Sequence, residues 1–204
     1  SSNNTVYADA EGNIAYYHGN FIPRRDESFD YARPVDGSNP ATDWQDLHPV
    51  NECITLVNPA NGWIQNCNST PFTAAGANSP KAEDYPRYMA PDNENFRGIQ
   101  AVRLLRDVEK LNLEKLIELS YDPYLTAFEV LIPGLVEAYD AQPVDDSDMQ
   151  AAVEALRNWD YRVAAESVPM SLAQYYGQEL LRNGKAPEGL NYIARIMYYG
   201  QEMP

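Results

Sequence analysis

The side chains in this 204-residue chain with types and positions suited to chemistry are few and scattered. Asn68 follows a run, Gly62 to Cys67, that reads as a strand, and it precedes Ser69-Thr70-Pro71. Taken alone, such an asparagine caps the loop that follows. Arg97 stands where a helical pattern begins, three residues after Glu94. An ion pair with that glutamate would account for it on a helix surface. The histidines are His18 and His48. A serine–histidine–aspartate triad needs a hydroxyl and a carboxylate placed around the imidazole, and no motif places them around His18. A hydrogen bond at a hairpin end is the expectation there. His48, which precedes Pro49 in a loop, is read the same way. Cys53 and Cys67 alone do not make a zinc site.

The charge balance narrows the function classes. Thirty acidic residues against fifteen basic ones give a formal net charge of −15. That field repels phosphate backbones, so nucleic acid is not an expected partner. The acids are spread along the chain, as on a solvated surface. The sharper reading is that some of them hold a cation such as calcium, with Asp30, Asp36 and Asp84 as candidates. Asp145, Asp146 and Asp148 stand at a helix start, where the positive end of the helix explains them without a metal. No pair of carboxylates is placed for glycosidase chemistry. No apolar run approaches the roughly 20 residues that span a bilayer, and no signal peptide opens the chain. The apolar share of 44% without low-complexity tracts is that of a globular protein. Fifteen tyrosines favour half-buried seams, where the ring is covered and the hydroxyl finds a partner.

The elements that must position these residues differ between the two halves. Thr5 to Ala8 and Ile14 to Tyr17 read as a β-hairpin around Glu11-Gly12-Asn13. Residues 19–50 form a long proline-rich loop, pinned by Phe21, Phe29, Tyr31 and Trp44. A second hairpin is expected from 53–57 and 62–67, around Asn58-Pro59-Ala60-Asn61. With Asn61 left-handed, Cys53 falls opposite Cys67, close enough to bridge. With Gly62 left-handed instead, the register slips by one and the bridge is lost. Residues 69–95 are irregular. From Phe96 onward the periodicity is helical. Ile99, Val102 and Leu105 mark one face of the first helix, and Leu113, Leu116 and Ile117 mark the next. A longer helix covers 124–139, bent near Pro133. A capping box, Ser147 with Gln150, starts a fourth. A fifth runs from Val168 to Arg182 and stops at Asn183-Gly184. The last covers 187–199. The class is α+β, with a hairpin-and-loop segment over 1–95 and a helical segment over 96–204, both parts of one larger domain. Two hairpins leave edges and an apolar face uncovered, which calls for strands beyond those two.

Several segments, in order, resemble the penicillin acylase family. Tyr7-Ala8-Asp9-Ala10-Glu11-Gly12-Asn13-Ile14 resembles its Tyr-Ala-Asp-x-x-Gly-Asn-Ile strand pair. The run from Asn58-Pro59 through Gly62-Trp63-Ile64 and Asn66-Cys67-Asn68 to Pro71 resembles its Asn-Pro-x-x-Gly-aromatic-Ile-x-Asn-x-Asn-x-x-Pro segment. Arg97, followed by Arg103-Leu104-Leu105, matches the helix start that carries a family arginine, and Trp159-Asp160 resembles a later Trp-Asp pair. The stretch from Val35-Asp36-Gly37-Ser38 to His48-Pro49 is closer to the acyl-homoserine-lactone acylase branch.

The resemblance implies part of an N-terminal-nucleophile (Ntn) hydrolase αββα sandwich, built from two subunits cut from one precursor zymogen. Its nucleophile is the serine at the start of the large subunit, whose α-amine serves as base. Ser2-Asn3 has the look of such a start, but the pattern that follows belongs deep inside the large subunit. The chain is therefore expected to be a large-subunit fragment without its own nucleophile, inactive alone. Its partners would be the rest of the large subunit, the small subunit and an acyl-amide small molecule. By resemblance, Asn68 is the oxyanion-hole carboxamide and Arg97 the arginine near the nucleophile, with Asn20 and Asn66 structural. The chemistry implied is hydrolysis of a linear amide in a β-lactam antibiotic, an N-acyl homoserine lactone or a similar compound. It requires no cofactor, and the family often carries a structural calcium. The location implied is periplasmic or extracellular. The rival reading is a binding module that shares the hairpins without catalysis.

Overall fold

The computed structural model describes residues 3–19 and 21–201. Ser1, Ser2 and Asn20 lie outside the described residues. The chain divides into two compact units, Ser1–Val108 and Glu109–Pro204. The first helix belongs to the first unit, so the division falls after it rather than before it.

The first unit is built on a three-stranded antiparallel sheet, β1 (Thr5–Ala8), β2 (Ile14–Tyr17) and β3 (Thr55–Val57), in that order. The first hairpin forms as its sequence implies. Asp9 organises the turn: its Oδ1 accepts from the Glu11 and Asn13 amides, and Gly12 supplies the left-handed residue at φ 88°. The expected second hairpin does not form. β3 pairs with β2, matching Tyr16 with Leu56, instead of with residues 62–67. The physical reason lies in Asn58. Its left-handed backbone (φ 46°) and its side chain, which accepts from the Ile14 amide at 2.8 Å and donates to Asn13 Oδ1 at 2.9 Å, fasten β3 onto the first hairpin. Beyond it Gly62 takes the left-handed conformation at φ 73°. Gln65 donates its backbone N–H to Ala74 instead of to a β3 partner. Cys53 and Cys67 are accordingly unbridged thiols. Ala15, Tyr16 and Ile54 are buried here, and residues 69–92 follow as short 3₁₀ turns. The unit closes with helix α1 (Phe96–Leu105).

The second unit is helical: α2 (Leu113–Ser120), α3 (Thr126–Ala141), α4 (Ser147–Arg157), α5 (Val168–Asn183) and α6 (Tyr192–Gln201). Its core gathers Phe128, Leu131, Ile132, Val153, Leu156, Trp159, Ala173, Ile196 and Tyr199. Pro133 lies inside α3. The cap of α4 is one residue earlier than the expected capping box: Asp146 Oδ1 accepts from the Asp148 and Met149 amides at 2.9 and 3.0 Å. A carboxylate there also meets the positive helix end. α5 ends at Gly184, whose φ of −65° is not left-handed. Space is what glycine provides there. A Cβ would come within 3.0 Å of the Tyr199 ring, whose hydroxyl donates to the Gly184 carbonyl at 2.9 Å. The α2 stripe stays open: Leu113, Leu116 and Ile117 are exposed. No described helix is long and apolar enough to cross a membrane.

Candidate active site

Asn68 is exposed and lies in a bend, not at the end of a strand, because the strand expected over 62–67 is absent. Its backbone is left-handed at φ 53°, a conformation that asparagine tolerates better than most residues with a Cβ. The bend is tied from both sides. The Asn68 N–H donates to Asn66 Oδ1 at 3.3 Å, and Asn66 Oδ1 also accepts from Asn4 Nδ2 at 3.2 Å. Asn95 Nδ2 donates to the carbonyls of Cys67 and Asn68, at 3.1 and 3.2 Å. The same Asn95 is the N-cap of α1, its Oδ1 accepting from the Gly98 amide at 3.0 Å. One carboxamide thus joins the bend to the helix start. The backbone of Asn68 is consumed by these bonds, and its own carboxamide stays on the surface.

The closeness of the two segments depends on Gly98. A Cβ at that position would stand 2.7 Å from Ser69 Oγ and would collide with the Glu94 carboxylate. Ser69 is buried, and Gln65 Nε2 reaches its hydroxyl at 3.5 Å. Thr70 donates to the Asn93 carbonyl at 3.2 Å, adding a further tie between the segments.

Arg97 occupies the first turn of α1 and is exposed. Glu94 does not take it as an ion-pair partner; its carboxylate accepts from the Asn95 amide at 2.9 Å. A cation in the first turn faces the positive end of the helix dipole, which costs roughly 0.3–1 kcal/mol. Local stability therefore does not explain an arginine at this position. Its charge reaches Cys67, the neighbour of Asn68. Burial raises the Cys67 thiol above its ordinary value, Arg97 opposes that shift and Glu94 adds to it. The two residues singled out by the sequence therefore flank the Asn95 tie.

The hydrogen bond expected of His18 at the hairpin end forms, and it extends to Asp92, a partner that the sequence did not indicate. His18 closes β2 and donates its backbone N–H to Ile54. Its ring meets the Tyr16 hydroxyl through Nδ1 at 3.0 Å and Asp92 Oδ2 through Nε2 at 3.4 Å. A neutral ring protonated on Nε2 satisfies both contacts, with the tyrosine donating to Nδ1. Burial lowers the His18 pKa, and the Asp92 charge pulls the other way. Tyr16 is raised, by burial first and Asp92 second. The chain anchors the sheet to the segment that carries Asn95 and Arg97. The helical periodicity expected from Phe96 onward fixes where α1 begins; the capping by Asn95 and its ties to the bend come from the structure.

His48 stands apart from this group, between Glu52 (Nδ1, 2.9 Å) and the Tyr88 hydroxyl (Nε2, 2.9 Å). The acids considered for calcium do not gather. Asp30 and Asp36 accept from the amides of Ala32 and Ser38 in separate turns. Among the described residues no group of three or more histidine, cysteine or acidic side chains is placed to hold a metal.

A family model described as penicillin amidase matches residues 1–199. Over 68 residues, 33% of this chain and 8% of the relative, the sequence is 38% identical to penicillin G acylase of Escherichia coli. The fold matches a thermostable penicillin G acylase from Alcaligenes faecalis with a TM-score of 0.63 at 20% identity, over 96% of this chain and 34% of that one. The likeness is one of fold, α+β and of the Ntn type, and the chain spans about a third of that solved relative.

Proposed function

This chain belongs to the penicillin amidase family, and from that premise we propose that it is part of an amidohydrolase that cleaves an acyl group from an amine through an acyl-serine intermediate. The attacking serine belongs to polypeptide outside these residues, and the 204-residue chain alone is inactive on this reading. The serine Oγ adds to the amide carbon while its own α-amine takes the hydroxyl proton. The carbonyl oxygen becomes an oxyanion, and Asn68 Nδ2 donates a hydrogen bond to it. Collapse breaks the C–N bond, and the departing amine takes the proton held by the α-ammonium. Water then attacks the ester, releasing the acid and restoring the serine. Arg97 orients this network and, as a nearby cation, lowers the pKa of the α-amine and so favours its free base.

One observation carries the reading. Asn68 has its backbone fixed in a left-handed bend by Asn66 and Asn95 while its carboxamide remains exposed. A donor stabilises a developing charge only if it is held in place beforehand, and this mount holds the residue without using its side-chain N–H. The substrates we propose are a β-lactam, an N-acyl homoserine lactone or a similar acyl amide. The partners are the remaining large-subunit polypeptide and the small subunit, and the location is periplasmic or extracellular. Asn68→Ala in the complete two-subunit enzyme is expected to lower kcat by about two to three orders of magnitude, roughly 3 kcal/mol of barrier. Near-normal turnover by a correctly processed Asn68→Ala enzyme refutes the assignment.

A further inference from the structure

Arg24 and Arg25 are neighbours with opposite surroundings. Residues 22–25 run against 45–48 as a short ribbon. Arg24 donates its N–H to the Asp46 carbonyl at 2.8 Å, Gln45 donates to the Arg24 carbonyl at 3.0 Å, and His48 donates to the Ile22 carbonyl at 2.9 Å. Successive side chains of an extended segment face opposite ways. Arg24 meets the Glu52 carboxylate, which also takes His48. The Arg25 guanidinium carbon lies 5.1 Å from the ring centre of Tyr31, 5.1 Å from that of Trp44 and 6.0 Å from that of Tyr88. Among the described residues no carboxylate pairs with Arg25, in a chain with thirty acidic residues. Its Nε and the Tyr31 hydroxyl are both buried without a hydrogen-bond partner.

Aromatic faces satisfy the charge of a guanidinium but not its in-plane N–H groups, which still need an acceptor. A buried donor without one is costly, and this cluster of one cation and its rings holds two such groups. Both lack the same kind of partner, an atom that accepts. The mount is a hydrogen-bonded ribbon, and Trp44 is 70% exposed, so the cage opens to solvent on that side. We propose that Arg25, with the Tyr31 hydroxyl as a second donor and Trp44 at the opening, is a carboxylate-binding site. The planar fork of arginine matches the two oxygens of a carboxylate. The surrounding charge of −15 disfavours a dianionic phosphate. The carboxylate comes either from a free organic acid or from an aspartate or glutamate of polypeptide outside the described residues. The site is separate from the Asn68 assignment and does not depend on it.

Phenylglyoxal modification of the folded wild-type protein, mapped residue by residue by mass spectrometry, tests this. Arg33, exposed and 3.5 Å from Asp30, is the internal control. A free acid is the ligand if sodium acetate slows modification of Arg25 severalfold relative to sodium chloride at equal ionic strength, leaves Arg33 unchanged, and loses its effect in Tyr31→Phe. A carboxylate of the polypeptide is the ligand if Arg25 resists the reagent in both salts and a crystal structure of the complete enzyme places an acidic oxygen on Nε. Equal and rapid modification of Arg25 in both salts overturns the proposal. So does protection by phosphate without protection by acetate, or a crystal structure in which water alone meets Nε and the Tyr31 hydroxyl.

Discussion

The bend around Asn68 is held by side-chain amides, with Asn66 bonded to its N–H and Asn95 to its carbonyl. The seam around Trp159 is held by rings. Phe128 lies 5.6 Å and Tyr161 5.5 Å from Trp159, centroid to centroid, and the indole N–H donates to the Arg162 carbonyl at 3.1 Å. Trp159 is buried and Asn68 exposed. Burial of a large ring supplies much energy and little direction. A set of directed hydrogen bonds supplies less energy but fixes where each atom points. The comparison teaches that this chain uses apolar packing to fold its helical unit and polar ties to place its candidate catalytic group.

Substitutions in the two regions should therefore fail differently. The largest expected effect is on stability: Trp159→Ala should cost about 3–5 kcal/mol by chemical denaturation, while kcat per folded molecule of the complete enzyme stays unchanged. A Trp159→Ala enzyme of normal stability would break the comparison. Next comes Asn95→Ala, which removes the cap of α1 and both ties to the bend. It should cost about 1–2 kcal/mol in stability, and in the complete enzyme it should lower kcat more than that loss of folded protein explains. A proportionate fall in both would reduce Asn95 to an ordinary helix cap.

The smallest expected effect is a pH slope. The His18 pKa is lowered in the folded chain by burial, so between its folded value and the ordinary 6.5 the unfolded chain binds the extra proton. Stability then rises with pH across that window and falls on acidification below 6.5. His18→Gln should flatten that part of the curve in denaturation measured from neutral to mildly acidic pH. An unchanged slope would remove His18 as its source.

The first hairpin was legible because its turn chemistry and alternation are local, and the helices because their apolar spacing repeats. The second hairpin was misread because strand pairing is a choice between partners. Residues 55–57 have two candidate neighbours in sequence terms, and the side chain of Asn58, reaching Ile14 and Asn13, settles it in favour of the first hairpin. For Cys53 and Cys67 the alternative tied to a left-handed Gly62, in which no bridge forms, is the one the structure shows. Asn68 and Arg97 stood out through motif likeness, since nothing in a lone asparagine separates a loop cap from a hydrogen-bond donor to substrate. The hydrogen bond of His18 at the hairpin end was legible, but its contact with Asp92 was not, because that residue lies more than seventy positions away across an irregular segment. The open faces of α2 show a related limit: Leu113, Leu116 and Ile117 keep helical spacing, yet none is buried.

The most direct measurement compares two affinities in the complete enzyme and its Asn68→Ala variant: that for a boronic acid, which forms a tetrahedral anionic adduct on the serine, and that for the carboxylic acid product. Loss of a donor reserved for the oxyanion weakens the boronate by about the same factor as kcat/KM and leaves product binding unchanged. Equal weakening of both ligands, or of neither, contradicts the role given to Asn68.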